Sequence, residues 1–256
     1  MDASHDPPQP TTAEVLAEVE RRRAEATPPM SHSQRRFVIL ADRFVFWLSK
    51  HWLAIFNVLA FLYVGLPFLT PLLMVLGLKG PAWAIYAVYG PLCHQLSYRS
   101  WFLFGPQLAY SLPQLVERVG ADAVPGLSTR AFVGNAALGY KVALCQRDTA
   151  IYGAILLGGL VYGLLRRRWQ VRPLPWWAYV GFGMMPMLLD GGYQFLSYVL
   201  AFFWPAGPIK AHETTPALRV LTGALFGLAT IWLAYPYVQE TMDDFRKTLE
   251  QRFGWQ

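Results

Sequence analysis

The chain has little charge and almost no cysteine. Charged residues fill 15% of its 256 positions, and cysteine occurs only twice. Two cysteines exclude a disulfide-stapled scaffold, and neither lies in a Cys-x-x-Cys pair. No internal repeat is found, so the symmetry common in secondary transporters is missing. Residues 1–30 are polar and proline-containing, and no secretory signal is expected ahead of the first apolar segment. Apolar bulk takes the place of charge. Hydrophobic residues reach 54% and aromatic residues 15%, with ten Trp; the mean hydropathy is +0.28. Scarce charge with abundant rings indicates a membrane protein whose first partner is the lipid bilayer. The net charge of +6 does not point to nucleic acid, because the basic residues cluster beside apolar runs. That is the pattern of cytoplasmic anchoring.

Four runs are expected to span the membrane: 52–78, 149–165, 176–203 and 216–238. Crossing ~30 Å of hydrocarbon takes ~20 residues. A fifth run, 81–104, is apolar only over its first dozen residues. It reads as a re-entrant or interfacial helix. The expected fold class is all-α, a multi-pass transmembrane helical bundle of about four spans. Arg35, Arg36, Arg43 and Lys50 precede the first span. Arg166, Arg167, Arg168 and Arg172 separate the second from the third, and Arg246, Lys247 and Arg252 follow the last. With four spans these clusters share one side, and the positive-inside rule makes it cytoplasmic. Both termini are then cytoplasmic, and the loops 79–148 and 204–215 lie outside.

This divides the chain into a polar cytoplasmic segment (1–35), a membrane domain (36–238) and a cytoplasmic tail (239–256). Met242, Phe245, Leu249 and Phe253 recur at helical spacing and make the tail amphipathic. Thr11 and Glu14 predict a capping box for a helix over 12–26. Leu112, Leu115, Val116 and Val119 predict a short amphipathic helix in the external loop, and Pro125-Gly126 predicts a turn. Gly159 and Gly163, and likewise Gly223 and Gly227, stand four apart, a spacing that lets helix backbones approach in lipid. Asn57 reads as interhelical hydrogen-bonding glue.

Short polar motifs interrupt the apolar runs. The first is Cys93-His94-Gln95, followed by Arg99-Ser100. The second is Cys145-Gln146-Arg147-Asp148, with Tyr152 one turn further. The third holds Asp190 and Gln194, and Arg219 opens the last span. Ionisable groups in hydrocarbon are costly, so each is a functional candidate. Under the expected topology all lie in the outer half of the bundle. Cys93, His94, Cys145 and Asp148 have the donor chemistry for a divalent transition metal such as zinc. Adjacent Cys93 and His94 do not easily reach one ion together. His94 could instead bond a backbone carbonyl or Asp148, and the cysteines could pack or form a disulfide. Asp190 is expected to be buried and paired with Arg219 or through Gln194.

The ordered set Cys93-His94-Gln95, Arg99-Ser100, Cys145-Gln146-Arg147-Asp148, Tyr152, Asp190-Gly191, Gln194 and Arg219 with Thr222-Gly223 resembles the predicted membrane proteins of domain-of-unknown-function family 2085. The resemblance covers about residues 90–235. It implies Cys-x-Arg-Cys in the second motif, where Asp148 stands in place of the last cysteine. The insertion 105–140 is a second departure. The resemblance implies a bacterial plasma-membrane location and a shared polar site, but supplies no activity. Four function classes follow from the residues. The leading one is an outward-facing site for a small ligand or metal. The others are a small transporter or ion-coupled permease, a thiol–disulfide oxidoreductase, and a structural subunit locked by its polar network.

Overall fold

The computed structural model describes residues 11–26, 31–120 and 131–255. The expected Pro125-Gly126 turn lies outside the described residues. Helix α1, Thr12–Ala26, opens with the predicted capping box: Glu14 N–H reaches Thr11 Oγ1 at 3.4 Å, and Thr11 N–H reaches Glu14 Oε2 at 2.8 Å. Helix α2, His32–Val75, is one 44-residue rod through Pro67 and Pro71. At ~1.5 Å per residue it exceeds twice the hydrocarbon thickness. The basic entry segment and the first span are therefore one element. Helix α3, Lys79–Tyr89, has 11 residues, which is too short to cross a bilayer.

The loop after α3 leads into a small sheet, which corrects the all-α expectation. Strands β1 (Ser100–Leu103), β2 (Gly134–Asn135) and β3 (Gly139–Cys145) pair antiparallel in the order β1-β3-β2. The physical reason for the misreading is burial on both faces. Val142, Ala143 and Leu144 are all fully buried, so β3 shows no polar–apolar alternation. Helix α4, Leu112–Val119, forms where predicted and is capped by Ser111 and Gln114.

Helix α5, Gln146–Leu165, follows β3 without a break. A helical run over 176–203, α6, alternates α turns with two π segments, Tyr179–Met184 and Leu188–Gly192. Helix α7, Pro216–Phe253, is continuous through Pro236. The amphipathic tail is thus the end of the last span and not a separate helix. Three helices among the described residues are long and apolar enough to cross a membrane: α2, α5 and α7.

Helix α5 packs most closely on α7, and glycine permits it. A Cβ on Gly227 would stand 2.4 Å from Ile151 O, and one on Gly223 would stand 2.8 Å from Arg147 O. Backbone touches backbone there, as small residues at that spacing allow. Below this contact Trp52, Leu53, Tyr162, Ile231 and Tyr235 form a cluster between α2, α5 and α7. Asn57 does not act as hydrogen-bonding glue through its oxygen: Oδ1 has no partner among the described residues. A Cβ on Gly159 would meet that oxygen at 2.1 Å, so Asn57 fills space over a glycine.

Candidate functional site

The first polar motif sits on a fixed loop. Cys93 N–H closes the end of α3 on Tyr89 O at 2.9 Å. Gln95 adopts φ 52°, a left-handed conformation uncommon for residues with a side chain. Three bonds or contacts hold it there. Its Nε2 donates to Tyr86 O at 2.9 Å, its own carbonyl accepts from Lys141 Nζ at 2.8 Å, and its side chain is fully buried. Gln95 anchors the loop rather than presenting a ligand. Lys141 comes from the middle of β3, so the sheet grips the loop that carries Cys93.

The second motif arrives by strand pairing. Ser100 of β1 stands opposite Cys145, the last residue of β3. This register lays the Cys93 loop against the start of α5, and Cys145 N–H points at Cys93 Sγ at 3.3 Å. Cys145 is also the N-cap of α5, where its sulfur accepts from Asp148 N–H at 3.4 Å. Sulfur is a weak acceptor in a place that favours Ser, Thr, Asp or Asn. One sulfur from each cysteine and one Asp148 carboxylate oxygen all lie within 4.8 Å of one another. Both cysteines are free thiols. The Cys145 thiol is pushed up by its hydrogen bond to Cys93 and by burial, while that same bond holds Cys93 below the usual thiol range. His94 does not join this group. It follows Cys93 directly, and its side chain is exposed at the rim.

A pocket of about 220 Å³ opens beside these donors. Of the eleven candidates read from the sequence, nine line it: Cys93, His94, Gln95, Arg99, Cys145, Arg147, Asp148, Gln194 and Arg219. Tyr152 stands below, its ring centroid 4.2 Å from that of Tyr63. Asp190 lies behind the wall and holds Arg147.

The pairing of Asp190 corrects the sequence reading. Its Oδ2 accepts from Arg147 NH2 at 2.6 Å and from Thr222 Oγ1 at 3.3 Å, not from Arg219 or Gln194. A Cβ on Gly191 would meet Arg147 NH1 at 2.6 Å, so the glycine after Asp190 makes room for the guanidinium. Arg219 turns to Glu213 instead, with NH2 to Oε2 at 2.5 Å. Its NH1 also donates to Gln146 Oε1 at 3.1 Å and Tyr98 O at 3.3 Å. Glu213 gathers three more donors: Arg99 (Nε at 3.1 Å), Gln194 Nε2 at 2.8 Å and the Tyr198 hydroxyl.

Glu213 is the residue that sequence reasoning missed. Its signal was present: it is the sole carboxylate of the segment 204–215, directly before the α7 N-cap Thr215. Gln146 was named only within its motif, yet it is fully buried and ties Arg219 to Ser100 O. The site therefore holds three arginines, Arg99, Arg147 and Arg219, against three carboxylates, Asp148, Asp190 and Glu213.

Comparison with known proteins agrees with the resemblance over part of the chain. Residues 130–233 match the family model described as Predicted membrane protein (DUF2085). That range holds Cys145, Arg147, Asp148, Asp190, Gln194, Glu213 and Arg219; the Cys93 motif and Arg99 precede it. An uncharacterized protein of Methanocaldococcus jannaschii is 23% identical over 195 residues, covering 74% of this chain and 93% of that protein. No solved structure matches.

Proposed function

We propose that this chain is a four-span integral membrane protein whose outward-facing pocket holds a divalent transition metal of the zinc class. The carrying observation is the Cys93, Cys145 and Asp148 donor set, gathered within 4.8 Å. Two sulfurs on one tetrahedral zinc stand about 3.8 Å apart, given Zn–S bonds of about 2.3 Å. Small side-chain rotations therefore bring the three donors onto one ion. Three protein ligands leave a fourth position open, which is the arrangement of sites that take an exogenous ligand. That position faces a pocket rimmed by His94 and by three arginines, of which Arg147 pairs with Asp190 while Arg99 and Arg219 share Glu213. Three guanidinium groups against two paired carboxylates favour a small polar or anionic ligand.

Purification without a polyhistidine tag, followed by elemental analysis, tests this reading. About one zinc-class ion per chain is expected. Cys93→Ser and Cys145→Ala should each lower it to background, whereas His94→Ala should retain it. Metal-free protein would overturn the proposal. Thiols that react only after reduction would then indicate a disulfide between the two sulfurs.

The four-span topology counts the run 176–203 as a crossing. That count puts the three basic clusters on one side, the cytoplasmic side by the positive-inside rule. Single cysteines introduced in a Cys93→Ser, Cys145→Ser background check it. Gln170→Cys should be shielded from an impermeant thiol reagent in intact cells, and Gly207→Cys should react. The reverse labelling pattern would sink this orientation, and the bacterial plasma-membrane topology with it.

A further inference from the structure

The arginine triplet that follows α5 takes no part in the thiol site. Arg166, Arg167 and Arg168 line a second cavity, of about 840 Å³, at the opposite end of the bundle. Arg172 from the α5–α6 linker joins them, as do Lys50 from α2 and Arg246 and Lys247 from α7. Three carboxylates, Glu240, Asp243 and Asp244, share the lining, against seven cations.

The cavity is built rather than incidental. Val171 packs against the Trp52–Tyr162–Tyr235 cluster, and Leu174 N–H donates to Trp232 O at 3.0 Å. The linker that carries the cations is therefore held to α7. Arg166 is structural: it donates to Gln239 Oε1 and lies 5.7 Å from the Trp52 ring centroid. Arg246 is engaged by Asp243 at 2.9 Å. By contrast Arg167, Arg168 and Arg172 are exposed and form no salt bridge among the described residues. Their guanidinium groups are available to an external anion.

Helix α5 has 20 residues, with Cys145 of the thiol site at its N-cap and Arg166 of this cavity at its C-cap. At ~1.5 Å per residue the two ends are ~30 Å apart, the thickness of the hydrocarbon core. The free cations thus sit at headgroup depth. An orientation signal alone needs basic residues, not a concave site with a linker held against α7. A volume of this size falls in the range of small-molecule sites, ~300–1,000 Å³.

We propose that this cavity binds a phosphate-bearing anion through Arg167, Arg168 and Arg172. Guanidinium groups match phosphate oxygens two at a time, which suits them to this ligand. An anionic phospholipid headgroup and a soluble phosphate compound share that chemistry.

The protein, delipidated in detergent, would be titrated with short-chain phosphatidylglycerol, with short-chain phosphatidylcholine and with pyrophosphate. Binding would be followed by native mass spectrometry and by the shift in thermal unfolding. Phosphatidylglycerol should bind roughly 10- to 100-fold more tightly than phosphatidylcholine, and the preference should weaken in high salt. Arg167→Gln, Arg168→Gln and Arg172→Gln combined should abolish the preference. A control with equal charge loss away from the cavity, Arg35→Gln, Arg36→Gln and Arg43→Gln, should keep it. Asp244→Asn removes a repulsive carboxylate and should tighten binding, which gives a variant whose signal does not depend on loss. Competition by pyrophosphate would identify the soluble compound as the source, and binding of lipid without competition would identify the headgroup. Equal affinity for both lipids with no pyrophosphate binding would overturn the proposal, as would an equal loss in the control. Metal content should stay unchanged in the triple variant, so this test stands apart from that of the thiol site.

Discussion

Glu213→Ala should lower the stability of the detergent-solubilised protein by ~3 kcal/mol, because it strips one carboxylate from two arginines at once. Glu213 accepts from Arg99, Arg219, Gln194 and Tyr198. The Arg219 side chain is only 4% exposed, so its charge would be left in a buried site with neutral partners alone. Glu213→Gln should do less harm, since it keeps an acceptor oxygen and the shape. Adding Arg219→Met to Glu213→Ala should recover part of the loss by removing the orphaned charge. Thermal unfolding of the four proteins decides the matter. An unshifted Glu213→Ala would mean that water already satisfies both guanidinium groups.

Asp190→Ala should be comparably damaging, by ~3–5 kcal/mol for a buried pair with one partner removed. The Asp190 side chain is 8% exposed and that of Arg147 19%. The informative measurement is a double-mutant cycle, which isolates a pairwise term. Asp190→Asn with Arg147→Gln should show coupling on the order of 2 kcal/mol, because the two groups touch. The same cycle with Arg219→Gln should show clearly smaller coupling, because Arg219 and Asp190 form no hydrogen bond or ion pair. Larger coupling to Arg219 than to Arg147 would restore the pairing expected from the sequence and contradict the geometry.

The two arginine assignments show where sequence reading reaches its limit. Asp190 and Arg219 both lie in apolar runs, and two opposite charges in hydrocarbon invite pairing. Nothing in the spacing reveals that Arg147, at the first turn of α5, points across to Asp190. That contact depends on Gly191, which clears space on α6, and on Gly223, which lets α7 lie against the Arg147 backbone. Both glycines were visible, but their facing partners were not. Glu213 escaped notice for a related reason. It sits in a short connecting segment, where an isolated carboxylate normally reads as solvated.

The sequence by itself determined the apolar segments, the helices at 12–26 and 112–119, and most of the residues gathered at the site, Glu213 excepted. These are local properties: hydropathy summed over a membrane thickness, capping residues three apart, and rare ionisable groups beside hydrocarbon. Tertiary structure alone decided who meets whom. The sheet is the clearest case. β3 is buried on both faces, so its side chains carry no alternation, yet its register with β1 places Cys145 opposite Ser100 and beside the Cys93 loop. It also separated His94 from its neighbour. Cys93 and His94 are adjacent in the chain, but successive side chains on a loop braced by Gln95 and Lys141 leave in different directions. One sulfur turns inward to Cys145 and Asp148, and the imidazole turns out to the rim. Chain distance sets which residues are available to a site. The direction of each side chain is set by the backbone conformation that packing and hydrogen bonds enforce.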